Sequence, residues 1–170
     1  MVISIGLFSV LVVAAIGVTI GVSNAQLKAA NTQVTQDNIR FGVELMTKEM
    51  RTGTSYDVVG ICGAGTGESM RFRATSGGRA YYLDNTIVRR IALDDDRLPE
   101  TRDCSKARQL FADEVITERL RFTVGGAETG PADGQPWVMV ALSVRSRNER
   151  KPLESRMDLQ TTVVQRLRDL

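Results

Sequence analysis

The first 22 residues, Met1 to Val22, carry no charged side chain and are dominated by Val, Ile, Leu, Ala and Gly. An apolar run of that length matches the hydrocarbon core of a bilayer, about 20 helical residues thick. Whatever else the chain builds, it must leave this segment in lipid or against other apolar helices. A secretory signal normally opens with a basic region and closes at a small-residue cleavage site. No Lys or Arg precedes the apolar run, and Ser23-Asn24-Ala25 is a poor cleavage match, so a membrane-spanning helix is predicted over residues 1–22. With no basic flank before the span, the charge rule for orientation has no cytoplasmic side to read. Topology therefore rests on the downstream domain.

No proline occurs before Pro99, so nothing of that kind interrupts a helix leaving the span. The helix is predicted to run on through Gln26 to about Thr52, with residues 23–53 as an amphipathic stalk. At 1.5 Å per residue it would reach roughly 75 to 80 Å, far beyond what the bilayer needs. At 100° per residue Leu27, Ala30, Val34, Phe41 and Leu45 form one apolar stripe, and Ile39, Val43, Met46 and Met50 form a second, roughly opposite. Asp37, Arg40, Glu44, Lys48 and Arg51 lie between them, with Arg40/Glu44 and Glu44/Lys48 at the i,i+4 spacing of weak surface ion pairs. Two apolar faces require two packing surfaces. The expectation is that the Ile39 stripe holds the chain's own sheet and the Leu27-to-Leu45 stripe meets other subunits. Burial of both stripes within one domain is the alternative.

After Gly53 the apolar period changes to two, the mark of strands with one buried face. Met70, Phe72 and Ala74 alternate with Arg71 and Arg73, and Gly77-Gly78 reads as the turn into a strand from Arg79 to Leu83. Asp84-Asn85 signals a second turn, followed by a strand from Thr86 to Leu93 whose alternation is blurred by Arg89 and Arg90. Asp94 to Gln109 reads as a loop. Three further strands are predicted over Glu118 to Val124, Trp137 to Arg147 and Glu154 to Gln165, the last two pairing antiparallel. Residues 54–170 are thus expected to form an antiparallel β-domain, and the chain an α+β fold in which the helix covers a sheet.

Composition limits the chemistry. The chain has no histidine, the usual base of nucleophilic triads and the commonest metal ligand. It lacks any cofactor motif, so neither an enzyme nor a cofactor is expected and no catalytic residue is assigned. Asp94-Asp95-Asp96 supplies oxygen ligands without the EF-hand spacing and is read as a solvated acidic loop. The run Gly60 to Gly67 lacks the Lys-Ser/Thr of a phosphate loop. Gly17 and Gly21 are a small-xxx-small pair of the kind that lets apolar helices approach. A net charge of +2 gives no strong field, and although Arg145, Arg147, Arg150, Lys151, Arg156, Arg166 and Arg168 crowd the C-terminal quarter, nucleic acid is not an expected partner. Cys62 and Cys104 are too few for an all-cysteine zinc site. A disulfide between them is expected, pinning the long loop in an oxidising compartment and worth about 4 kcal/mol of chain entropy; two buried free thiols are the alternative.

Taken together, VISIGLFSVLVVAAIG followed by QDNIRFGVELMTKEMRTG resembles the N-terminal helix of type IV pilin-like proteins, the group that includes minor pilins and type II secretion pseudopilins. The closing strings GQPWVMVALSVRSR and LQTTVVQR are similar to the last strands of such subunits. The middle of the chain matches less well. The resemblance implies a non-enzymatic, single-pass subunit of the cytoplasmic membrane with its β-domain outside the cytoplasm. It also implies assembly into a filament by other pilin-like subunits and an assembly machinery, with membrane lipid as the partner beforehand. The leader peptide and helix-packing glutamate of the family have no counterpart here; the expectation is that they lie upstream of Met1, the alternative that this subunit is not processed in the usual way. The rival expectation is a membrane-tethered sensor or ligand-binding module that never polymerises.

Overall fold

A computed structural model of the chain describes residues 2–93, 104–126, 134–148 and 153–166. One helix, α1 (Val2–Arg51), runs without a break for 50 residues. Its last turn carries Lys48 and Arg51, cations that favour the negative end of the helix dipole. The helix stops where the Gly53 N–H donates to the Met50 carbonyl at 3.1 Å and the buried Tyr56 hydroxyl donates to the carbonyls of Met50 and Gly53. Gly53 fits because a Cβ there would sit 2.6 Å from the Phe72 ring. The terminal carbonyls thus find partners before the chain turns into strands.

Two antiparallel sheets follow. The first holds β1 (Thr54–Asp57), β2 (Ser69–Ala74), β3 (Gly77–Asp84), β4 (Ile87–Leu93) and β5 (Arg108–Gln109), hydrogen-bonded in that order. The second holds β6 (Val115–Gly125), β7 (Trp137–Ser146) and β8 (Arg156–Val164), again in chain order. The predicted single sheet is therefore two. Their junction is made by the β6 edge, where the Thr117 N–H donates to Thr86 and the Phe122 N–H to Gly67. A register shift between Thr117 and Arg119 changes which side chains point inward, so Val115 and Thr117 are buried before it and Leu120 and Phe122 after it.

Some predicted boundaries move. Gly77 and Gly78 lie inside β3, paired with Ala74 and Arg73, and the hairpin turns at Thr75-Ser76. Strands β1 and β5 fall in segments that show no alternation, because four and two residues are too short to display a period. The acidic run Asp94 to Asp96 lies outside the described residues.

One core joins α1 to both sheets. Ile39, Met46 and Met50 meet Met70, Phe72, Tyr81 and Val88 of the first sheet and Leu120, Val138, Val140, Leu142 and Val163 of the second. A smaller cluster of Ile61, Ala80, Tyr82 and Ile91 covers the other face of the first sheet, with Cys62 packed on it. The loop that brings Ile61 and Cys62 there is held by the disulfide Cys62–Cys104 and by Ser69, whose buried hydroxyl donates to the Val59 carbonyl at 2.5 Å.

Candidate interaction surfaces of the helix

Every described side chain from Ile3 to Ala30 is exposed. The span that includes this stretch is the one helix among the described residues long and apolar enough to cross a membrane. Two of its hydroxyls bond within the helix: Ser9 donates to the Ile5 carbonyl and Thr19 to Ala15, each at 2.8 Å. That matters in hydrocarbon, where an unpaired hydroxyl costs several kcal/mol. Gly17 and Gly21 lie on this exposed half with no neighbour against them.

Burial begins at Thr35. From there Thr35, Ile39, Gly42, Met46 and Met50 face the sheets, and Val43 packs half-buried against the same core. Gly42 sits where Phe111 crosses the helix; a Cβ there would run into the ring and lie 3.3 Å from Leu110. Leu27 and Val34 are 48% and 50% exposed and Phe41 is 70% exposed. Ala30 is exposed too, while Leu45 is half-buried. The outer stripe lies about 120° round the helix from the buried one at 100° per residue, rather than opposite it. It extends apolar side chains from the first half of the helix onto the part that carries the globule.

A polar clamp at the helix end accounts for Arg90 in β4. Glu49 accepts from the Tyr81 hydroxyl at 2.6 Å and from Arg90 Nε at 3.0 Å, and its other oxygen pairs with Arg90 Nη2. Burial raises the Glu49 pKa, but the hydrogen bonds from Arg90 and Tyr81 and the Arg90 charge outweigh it, so the carboxyl stays below its ordinary range. Burial and the Glu49 carboxylate together push the Tyr81 phenol well above its ordinary range. This triad was not apparent from sequence, because the alternation rule treats Arg90 only as an interruption; the i,i+1 pair of arginines in an otherwise apolar strand was the available signal.

Two of the C-terminal cations, Arg145 and Arg156, are engaged by carboxylates. Arg145 reaches Glu118 at 3.2 Å and Glu154 at 3.7 Å, and Arg156 reaches Glu118 at 2.5 Å. Arg150, Lys151 and Arg168 lie outside the described residues. Among the described residues no group of three His, Cys, Asp or Glu side chains is placed to hold a metal ion.

No family model, no curated protein and no solved structure matches the chain.

Proposed function

We propose that the protein is a pilin-like structural subunit, a minor pilin or pseudopilin, held in the cytoplasmic membrane by the first half of α1 and built into a filament through the outer face of that helix. The observation that carries this reading is the row of exposed apolar side chains, Leu27, Val34 and Phe41, that follows the span along the helix and that the chain's own domain leaves uncovered. Lipid covers the first part of it, and only another protein surface would cover Phe41 beyond the bilayer. Removing an apolar helix from lipid is tolerable when equivalent helices receive it, since the burial is exchanged rather than lost. The disulfide supports an oxidising compartment and hence a globule outside the cytoplasm. The absence of histidine and of any cofactor motif fits a structural role.

The test is the double variant Val34→Glu with Phe41→Glu. Both side chains are exposed, so the melting temperature should stay within a few degrees of the parent, while incorporation into purified filaments, counted by mass spectrometry, should fall at least tenfold. Unchanged incorporation would overturn the proposal. If no filament contains the parent chain and the variant keeps its membrane location and phenotype, the tethered binding module is the better reading.

A further inference from the structure

Residues 104–111 form a strap that runs from the disulfide to the helix. At one end Cys104 opens a short 3-10 turn, Cys104–Lys106, and is bridged to Cys62. Strand β5 follows, paired to β4 at Arg89↔Gln109 and Arg90↔Arg108. At the other end the Leu110 N–H donates to the Val88 carbonyl at 2.9 Å, and Phe111 lies across α1 at Gly42. Cys104, Ser105, Lys106, Arg108 and Gln109 are exposed, Ala107 and Leu110 are half-buried, and Phe111 is buried. A segment with so little buried apolar surface and so short a ladder belongs to the low-stability end of a fold. Its covalent anchor is the bridge at Cys104, and its packed anchor is the ring at Gly42.

The bridge is accessible to thiols. Cys104 is exposed, and Cys62 is half-buried in a turn whose Ala64 N–H donates to the Ile61 carbonyl at 2.9 Å. The two central residues of that turn, Cys62 and Gly63, have φ of 53° and 86°, the left-handed pair of a type I′ turn. Glycine adopts such a conformation freely, whereas the Cβ of a cysteine disfavours it. The oxidised chain thus holds Cys62 in a backbone state that its side chain opposes. Disulfides that are exposed or join strained sites are the labile ones in thiol exchange.

From these features we infer that Cys62–Cys104 is a dithiol-operated clip that sets whether the 104–111 strap covers α1. The thiolate of a dithiol attacks the sulfur of the exposed Cys104, forms a mixed disulfide and expels Cys62 as a thiolate. The second thiolate of the dithiol then closes its own disulfide and expels Cys104. Two electrons pass from the dithiol to the bridge, and its two protons end on Cys62 and Cys104. With Cys104 released, the strap lifts and Phe111 leaves Gly42. That widens the apolar surface of α1 beside Phe41, which is 70% exposed with the strap in place. A small disulfide such as oxidised glutathione takes the two electrons back and restores the clip. The inference does not rest on the filament reading, because every change it names lies within one chain.

The test treats the full chain in detergent micelles with dithiothreitol and no denaturant, followed by alkylation with iodoacetamide and by amide hydrogen exchange read by mass spectrometry. Both Cys62 and Cys104 should be alkylated, and the amides of residues 104–111 should exchange at least tenfold faster than in the oxidised chain. Peptides from β7 should stay at least tenfold more protected than the strap. In a chain carrying 4-fluorophenylalanine at position 111, the fluorine resonance should move toward its solvent-exposed position on reduction and return with oxidised glutathione. Cys62→Ser should show the open strap without reductant. Three results overturn the inference. One is a bridge that reduces only in denaturant. Another is a strap whose exchange and fluorine signal ignore both reduction and Cys62→Ser. The third is a strap and a β7 that exchange at one common rate after reduction, which would make the bridge a staple of the whole domain.

Discussion

Glu49 shows how one carboxylate ties the helix to the first sheet. Its folded pKa lies below the ordinary value of about 4.3, so its contribution to stability is complete above that value and is lost as pH falls through the lower, folded one. Tyr81 has the opposite sign. Its pKa is raised, so its contribution is complete below about pH 10 and is lost as pH climbs beyond. The Glu49→Gln variant should unfold about 1 to 3 kcal/mol more easily at neutral pH, the range for a hydrogen-bonded charged group. In acid, below the ordinary carboxylate range, parent and variant should converge in urea titrations followed by circular dichroism. At Gly42 the prediction is steric: Gly42→Val drives a side chain into Phe111 and should cost about 1 to 3 kcal/mol as overpacking. Sequence reading gave Gly42 no role, because a glycine inside an amphipathic helix has no side chain to enter the apolar count.

Among the elements, the long helix was the most legible, since 22 uncharged residues and no proline before Pro99 leave little else to form. Its inward face was legible as well at Ile39, Met46 and Met50, whose spacing matches the helical repeat. Strands β7 and β8, ten and nine residues long, were readable from their alternation. The division into two sheets was not, because it depends on the β6 edge bonding to Thr86 and Gly67 across a long sequence separation. The loop carrying Cys62 also has a clearer role in space than in sequence. It supplies Ile61 to the second cluster, and the bridge to Cys104 holds it there. Cys62→Ser should lower stability by about 4 kcal/mol if the chain-entropy account holds. Proteolysis should then cut first near Ala64, and adding reductant to the parent should reproduce both effects.

At the scale of the molecule, α1 divides into a part that holds the globule and a part that does not. Burial starts at Thr35, so the domain owes its core to the last third of the helix. A chain lacking residues 1–30 should fold with the same disulfide and melt within a few degrees of the parent, while leaving the detergent-soluble fraction for the aqueous one. The exposed apolar side chains of Val34 and Phe41 would survive that truncation.

The foot of α1 is moored three ways: Tyr56 of β1 holds the carbonyls of Met50 and Gly53, Arg90 of β4 grips Glu49, and the backbone after β8 bonds to Arg51. These moorings reach both ends of the β-domain. A pull along the rod would load the first and last strands together instead of peeling one away.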